Sequence, residues 1–255
     1  MKEFIKDLCL EAGEILLHYF DQDLKRQEKE NAGFVTEADL ASEKYLKETI
    51  KKHYPESDFI CEESGEELSG KKYKWIIDPL DGTTNYANKI PIFCISIAVE
   101  EDNVIKYGAI YNPINKEFFY TEKDKPSLLN DKEIQISSKK EFAEAVLGAG
   151  DYYYRGEFFK NSMKKLTEIY NECQSVRVMG SLALAMAYTA CGKFDGIWHE
   201  HANYWDVAAG TLLIRQAGGH VTDFQGNNIK NGNLENMIAS NDQFTKILTN
   251  ILSSA

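Results

Sequence analysis

The run DPLDGTTN, residues 78–85, places two carboxylates beside a tight turn and a predicted helix start. Asp78 comes at the end of an apolar strand, and Asp81 follows three residues later, just before Gly82, which permits a tight turn. The next three residues are of types that cap helices, where free backbone N–H groups attract an anion. Because Mg²⁺ is bound by carboxylates and by phosphate oxygens, the run predicts a site for both. An ordinary Asp-Gly turn with a capping threonine is the alternative interpretation.

Acidic residues also occur at three other places where predicted elements begin or end. Glu62 and Glu63 follow an apolar, strand-like run, although paired glutamates are also typical of a solvated surface. Asp206 opens a predicted helix, where an N-cap is its structural role. Thr36 and Asp39 have the spacing of a capping box. Each pattern alone has a complete structural explanation, so a chemical role depends on these residues coming together.

Three strings, in this order and at about this spacing, carry a resemblance to a known family: EES at 62–64, DPLDGTTN at 78–85 and WDVAAG at 205–210. Together they resemble the inositol monophosphatase family, over nearly the whole chain from about residue 35 to the last helix. The resemblance implies a fold of the α+β or α/β class, a layered α/β/α/β/α sandwich. It also implies membership of a lithium-sensitive, magnesium-dependent phosphatase superfamily, and we expect a homodimer because the family is usually dimeric.

The resemblance implies a role for each matching position. Five residues are implied as metal ligands, with Leu80 acting through its backbone carbonyl: Glu62, Asp78, Leu80, Asp81 and Asp206. Gly82 and Thr83 match the backbone donors that hold the phosphate. Asp39 pairs with Thr83 to orient a water, so that Glu62, Thr83 and Asp39 are the expected catalytic residues. Two or three Mg²⁺ ions would activate the water and stabilise the leaving oxygen, with no protein nucleophile.

The substrate is expected to be a small phosphorylated metabolite, a sugar or cyclitol phosphate similar to inositol 1-phosphate. Gly180 and Ser181 resemble the family's pocket-lining segment, whereas Leu182 is bulkier than the usual small residue and predicts a narrower pocket. His199 stands where the family often has a glutamate that bonds substrate hydroxyls. Glu200 is next to it, and either side chain could make that contact. Residues 152–155 are further candidates, although a solvated loop is the simpler interpretation.

Other functions fit the same sequence. A fructose-1,6-bisphosphatase or a nucleotide 3′-phosphatase of the same superfamily stays open, although Thr84 stands where related nucleotide phosphatases often have lysine. A non-catalytic binding or regulatory protein that keeps the fold would be expected to lose a metal ligand, and all the expected carboxylates are present. The HEH run at 199–201 also suggests a zinc site. We disfavour it because no third ligand stands at a catalytic spacing and the HExxH motif is absent.

Composition limits the partners. The formal net charge of −11 at pH 7 repels nucleic acid and anionic membranes, so we expect neither as a partner. The five cysteines include no CxxC pair and indicate no disulfide framework. Acidic residues interrupt the N-terminal segment where a signal peptide would be apolar, and no run approaches about 18 apolar residues. We therefore expect a cytoplasmic enzyme.

The elements that would position these residues follow from the apolar periodicity. Helices are predicted at 3–20, 37–53, 157–172, 181–192, 206–217 and 241–253, with a loop at 21–34. Strands are predicted at 74–78, 92–101, 104–112, 117–121, 145–150, 175–179, 194–199, 220–224 and 236–240. The order of these elements predicts two layered halves. The first, 1–135, would carry most metal ligands, and the second, 136–255, would carry Asp206 and the substrate pocket.

Overall fold

The computed structural model describes residues 1–22, 26–28, 34–150 and 156–254. The candidate substrate contacts at 152–155 lie outside these residues. The helices are α1 (Lys2–Phe20), α2 (Glu37–His53), α3 (Thr83–Ala87), α4 (Glu157–Glu172), α5 (Leu182–Ala190), α6 (Tyr204–Gln216) and α7 (Asp242–Ser254). The strands are β1 (Arg26–Glu28), β2 (Phe34–Thr36), β3 (Ser57–Cys61), β4 (Gly65–Glu67), β5 (Tyr73–Asp81), β6 (Cys94–Glu101), β7 (Val104–Asn112), β8 (Glu117–Glu122), β9 (Leu128–Leu129), β10 (Lys132–Glu133), β11 (Val146–Ala149), β12 (Ser175–Val178), β13 (Gly196–Ala202), β14 (His220–Thr222) and β15 (Leu234–Ser240).

The elements stack in five layers. α1 and α2 pack on one face of an eight-stranded sheet, ordered β10-β9-β8-β7-β6-β5-β3-β4, and α5 and α6 pack on its other face. α5 and α6 also contact a five-stranded sheet, ordered β12-β11-β13-β15-β14. The far side of that sheet packs against α7, with α4 beside it. This α/β/α/β/α order confirms the predicted fold class.

The middle layer is buried on both sides, and its sequence shows why. α5 reads LALAMAYTA, and eight of its nine residues are buried. Small side chains let a helix approach a sheet closely: a Cβ atom added to Gly108 of β7 would lie 3.0 Å from the carbonyl oxygen of Ala209 in α6. The two sheets therefore come near each other around one shared helical layer, and residues from both halves of the chain meet there.

The predicted elements are confirmed in type, with two corrections. α2, α4 and β7 have the predicted bounds, since each carries a regular apolar period. The loop predicted at 21–34 is wrong in part, because β1 lies within it and pairs antiparallel with β2. The short strands β4, β9 and β10 were not predicted, since two or three residues cannot display a period. The division of the chain near residue 135 stays a prediction.

No helix within the described ranges is both long enough and apolar enough to cross a membrane.

Candidate metal centre

A β-bulge in β5 sets the relative position of Asp78 and Asp81. Asp78 pairs with Ser96 of β6, and Asp81 pairs with Cys94, so that three steps along β5 match two steps along β6. Side chains of a regular strand alternate between faces, so residues three apart would point in opposite directions. The extra residue at the bulge removes this mismatch and lets both carboxylates point to the same side. Both are buried, at 1% and 9% exposure.

Glu62 is brought to the same place by the parallel pairing of β3 with β5. Cys61 is in register with Ile77, and the Glu62 N–H donates to the Ile77 carbonyl oxygen over 3.2 Å. Glu62 and Asp78 are therefore neighbours at the carboxyl ends of two adjacent parallel strands. The charge of Glu62 accordingly contributes to the raised pKa of Asp78.

Asp81 lies against the N-terminus of α5, where free N–H groups await an acceptor. Its carboxylate accepts from the Ser181 hydroxyl at 2.6 Å, from the Ala183 N–H at 2.7 Å and from the Leu182 N–H at 3.2 Å. Asp81 therefore joins the two halves of the chain. Ser181 contacts a proposed metal ligand, and the Leu182 side chain is buried at 9% exposure in the central apolar cluster.

Asp206 lies at the third position of α6, not at its start as predicted. The helix begins two residues earlier, at Tyr204, with Asn203 as its N-cap. The Asn203 N–H and its side-chain amide both donate to Asp206 Oδ2, at 3.1 and 3.2 Å. The capping role and a position in the carboxylate group therefore coexist in one residue.

Burial and like charge raise the pKa of three of these carboxyl groups. For Asp78 the causes are desolvation and then the charges of Glu62, Asp81 and Asp206. For Asp206 they are desolvation and then Glu62 and Asp81. Desolvation also raises the pKa of Asp81, although the Ser181 and Ala183 hydrogen bonds oppose it. Four carboxylates thus repel one another in a site that is largely shielded from water, which is an arrangement that a cation relieves.

The donor set fits a hard divalent cation. It consists of carboxylate oxygens together with the Leu80 carbonyl, and oxygen ligands suit Mg²⁺ better than softer metals. Among the described residues, no three His, Cys, Asp or Glu side chains are already gathered around one point. The reason lies in the contacts above, since Asp81 is turned toward α5 and Asp206 toward Asn203.

The Thr83 hydroxyl lies between two acceptors. Its oxygen is 3.2 Å from Asp39 Oδ1 and 3.1 Å from the Leu80 carbonyl oxygen. A hydroxyl has one proton, so Thr83 donates to only one of them at a time. Asp39 is fully buried, and its other carboxylate oxygen accepts from the Thr36 N–H at 2.9 Å and completes the capping box of α2. Asp39 therefore makes both the capping contact with Thr36 and the contact with Thr83 that the family resemblance implies.

Two glycines allow the turns that carry the predicted phosphate and pocket residues to come together. Gly82 has a φ of +96°, and an added Cβ would lie 2.9 Å from the Ile92 carbonyl oxygen. Gly180 has a φ of +72°, and its Cβ would lie 2.9 Å from the Asn85 side-chain amide. That amide donates to the Met179 carbonyl at 2.7 Å and to the Ile92 carbonyl at 2.8 Å. The DGTTN turn is thereby fixed to the segment that contains Ser181.

His199 and Glu200 have different surroundings. The Glu200 carboxylate accepts from Lys165 Nζ and Ser162 Oγ of α4, each at 2.6 Å. His199 Nδ1 is buried and has no hydrogen-bond partner among the described residues, and it lies so near Gly150 that a Cβ there would be 1.4 Å away. Desolvation lowers the pKa of His199 to about 4, so the ring is neutral at pH 7. The His201 ring lies tilted against the Phe158 ring, with the two centroids 5.0 Å apart.

Two buried polar residues of α2 were missed from the sequence. Ser42 Oγ donates to the Pro79 carbonyl oxygen at 3.1 Å, and Glu43 Oε2 accepts from the Glu63 N–H at 3.0 Å. Both contacts reach backbone beside the carboxylate group. A signal was present, since these polar residues stand in the same helical stripe as Leu46 and Ile50, which are fully buried.

Comparisons with known proteins agree along the whole chain. The model of the inositol monophosphatase family matches residues 1–254. The inositol-1-monophosphatase of Rhizobium meliloti (strain 1021) is 36% identical over 250 residues, which is 97% of this chain and 91% of that protein. The Nus factor SuhB of Escherichia coli (strain K12) is 34% identical over 242 residues, 93% of this chain and 90% of that protein. The crystal structure of the extragenic suppressor protein suhB from Bartonella henselae superposes with a TM-score of 0.93 at 33% identity, covering 100% of this chain and 98% of that chain.

Proposed function

Because the chain belongs to the inositol monophosphatase family, we propose that it is a magnesium-dependent phosphomonoesterase acting on a small sugar or cyclitol phosphate. The observation that carries the proposal is the group of mutually repelling carboxylates, Glu62, Asp78, Asp81 and Asp206. Bringing like charges together without a cation between them destabilises the folded protein. Such groups therefore occur mainly at functional sites. Binding cations next to a phosphate ester is the task that this family suggests.

In this proposal the four carboxylates and the Leu80 carbonyl would hold two or three Mg²⁺ ions. When bound, these ions supply Lewis acidity to the attacking water and to the leaving oxygen. The N–H groups of Gly82 and Thr83 bind the phosphate at the start of α3. If the Leu80 carbonyl served as a ligand, the Thr83 hydroxyl would donate to Asp39, and its oxygen would be free to accept from the attacking water. Asp39 and Thr83 therefore orient that water.

We propose that His199, rather than Glu200, contacts the substrate, and the partners of the two side chains support this choice. Glu200 already has Lys165 and Ser162 as partners, and using it would break an ion pair whose two side chains are 12% and 10% exposed. Among the residues that the structure describes, His199 Nδ1 has no hydrogen-bond partner. A neutral ring in place of a carboxylate removes one negative charge from the pocket. We therefore propose that the substrate includes a hydroxyl or a second anionic group at this place.

The Escherichia coli relative is named Nus factor SuhB, and this name suggests a second possible function, a regulatory or binding role. Retention of every expected carboxylate favours catalysis, although the two functions do not exclude each other. The homodimer and the cytoplasmic location expected from the sequence stay predictions, as does the expectation that nucleic acid is not a partner.

A phosphate-release panel tests the proposal. The substrates are inositol 1-phosphate, fructose 1,6-bisphosphate, a nucleotide 3′,5′-bisphosphate, histidinol phosphate and glycerol 2-phosphate, each with Mg²⁺, with a chelator, and with Mg²⁺ or Zn²⁺ added back. We expect release from at least one sugar or cyclitol phosphate, lost on chelation and restored by Mg²⁺. No release from any substrate would overturn the proposed activity and favour the regulatory role. Restoration by Zn²⁺ alone would overturn the metal assignment.

A further inference from the structure

The buried face of α2 includes polar residues, whereas the buried face of a helix is ordinarily apolar. Asp39, Ser42 and Glu43 lie three and four residues apart and are 0%, 0% and 4% exposed. Burying a hydroxyl and two carboxyl groups is costly unless each has a partner. Their partners include the Thr83 hydroxyl, the Pro79 carbonyl and the Glu63 N–H, in the two segments that carry Glu62, Asp78 and Asp81. This face therefore connects α2 to the site itself, and Ser42 and Glu43 have no part in the mechanism proposed above.

Glu43 supports the backbone that carries Glu62. The ladder between β3 and β5 ends at the bond from the Glu62 N–H to the Ile77 carbonyl. The next N–H, that of Glu63, lies beyond the strand and donates to Glu43 Oε2 at 3.0 Å. Glu62 is therefore held on one side by the sheet and on the other by α2.

Ser42 supports the bulge between Asp78 and Asp81. An extra residue in a bulge interrupts the strand ladder and leaves backbone groups that need other partners. The Pro79 carbonyl lies inside this bulge and accepts from Ser42 Oγ at 3.1 Å. The bulge gives both aspartates the same direction, so the serine acts on the spacing of two proposed ligands.

We infer that Ser42 and Glu43 are positioning residues, which set the cation affinity of the carboxylate group by fixing the backbone on which Glu62, Asp78 and Asp81 are mounted. The inference rests on the proposed function, because it requires that this group binds cations. Groups that orient metal ligands affect affinity by about 10–100-fold when they are removed. Ser42 and Glu43 orient backbone rather than ligand side chains. Their role depends on the hydrogen bond and not on the charge of Glu43.

Binding of Mn²⁺, followed as loss of the free-ion signal in electron paramagnetic resonance, tests this inference without using activity. Mn²⁺ takes oxygen ligands as Mg²⁺ does. The variants are Glu43→Ala, Glu43→Gln and Ser42→Ala, with Glu48→Ala as the matched control because Glu48 is exposed on the same helix. The thermal midpoint of each metal-free variant is measured alongside, to separate loss of stability from loss of affinity.

We expect Glu43→Ala to weaken Mn²⁺ binding about 10–100-fold and Ser42→Ala by a smaller factor. Glu43→Gln keeps an oxygen acceptor and should stay within about threefold of the unaltered protein, which is less than the worth of one hydrogen bond. Glu48→Ala should bind normally. If Glu43→Ala does not fold, Glu43→Asp replaces it, because its carboxylate is one methylene shorter. Glu43→Asp should then bind Mn²⁺ more weakly than Glu43→Gln does.

Two results are to be distinguished. If the unaltered protein binds no Mn²⁺, the proposed metal site fails, and this inference fails with it. If the unaltered protein binds Mn²⁺, and Glu43→Ala and Ser42→Ala bind it as tightly as the unaltered protein does, only the present inference is overturned. Equal weakening by Glu43→Gln and Glu43→Ala would also overturn it, because the charge and not the hydrogen bond would then be responsible.

Discussion

Two sets of buried carboxylates in this protein have opposite surroundings. Asp58, Glu100 and Asp195 are at most 4% exposed, and each is met by donors of the protein. Asp58 accepts from Ser69, Gly70 and Lys71, Glu100 from Lys74, Tyr204 and Asn231, and Asp195 from Ser137, Lys139 and Val146. In the second set, Asp78, which is buried, and Asp206, which is partly buried, lie among other carboxylates.

The pKa values of Asp58 and Asp78 are shifted in opposite directions. Burial alone would raise the pKa of Asp58, but the hydrogen bonds from Lys71, Ser69 and Gly70 outweigh it and lower the pKa below its ordinary value. Burial raises the pKa of Asp78 too, and there the neighbouring charges add to it. A buried carboxylate with enough donors is therefore a structural element, whereas a buried carboxylate among like charges is a candidate for binding a cation.

Asp81→Asn should have the largest effect on activity. Loss of one ligand charge should reduce phosphate release by more than about 100-fold, since even partners behind a metal ligand are worth about 10–100-fold. Phosphate release at fixed Mg²⁺ measures it. Asp242→Asn, which alters an exposed ion pair on α7, is the control and should change little. Near-normal turnover in Asp81→Asn would refute its assignment as a ligand.

Asp58→Asn should lose stability and keep activity. Replacing the carboxylate by an amide weakens hydrogen bonds to a charged acceptor, at a cost of about 2 kcal/mol in the free energy of unfolding. Because the folded pKa of Asp58 is below its ordinary value of about 3.9, its contribution is present above that pH and is lost as the pH falls through the folded pKa. Urea unfolding at pH 7 and at low pH measures it. A large loss of turnover per folded molecule would show that the two sets are not separate.

Asp78→Asn should raise the stability of the metal-free protein at pH 8, so that its thermal midpoint lies above that of the unaltered protein. The folded pKa of Asp78 is raised, so the folded state loses stability as the pH rises from about 3.9 through that pKa, and asparagine removes this loss. The gain should vanish near pH 4. Thermal unfolding with a chelator at both pH values measures it. A variant less stable than the unaltered protein at pH 8 would contradict the like-charge account.

His199→Glu should have the smallest effect, on substrate choice. A carboxylate there offers an acceptor for a substrate hydroxyl, which is worth about 1 kcal/mol, or about fivefold in kcat/KM for inositol 1-phosphate. The same change adds a negative charge and should disfavour fructose 1,6-bisphosphate. Steady-state kinetics with both substrates measure the ratio. Glu200→Gln is the control and should leave the ratio unchanged, although it weakens the contact with α4. An unchanged ratio in His199→Glu would remove His199 from the pocket.

Much of the fold was predictable because it depends on local period. The bounds of α2, α4 and β7 were predicted because a regular apolar pattern ends at recognisable residues. The start of α6 was placed two residues late, because Asp206 resembles a cap and the actual cap, Asn203, precedes an aromatic pair. The pairing of β1 with β2 was missed, since three-residue strands carry no pattern.

The site was predictable as a set of residue types and not as an arrangement. Spacing alone would place Asp78 and Asp81 on opposite faces, and only the bulge against β6 resolves this. Ser42 and Glu43 were missed because their partners are backbone groups of Pro79 and Glu63, which no side-chain motif marks. Glu200 looked equivalent to His199 until its bonds to α4 were known.

The most direct test of the central claim is an anomalous difference map from crystals of this protein grown with Mn²⁺. The account predicts peaks among Glu62, Asp78, Asp81 and Asp206, with the Leu80 carbonyl as a further ligand, and none beside Asp58 or Asp195. An absence of peaks among these four carboxylates at saturating Mn²⁺, or peaks only elsewhere, would contradict it.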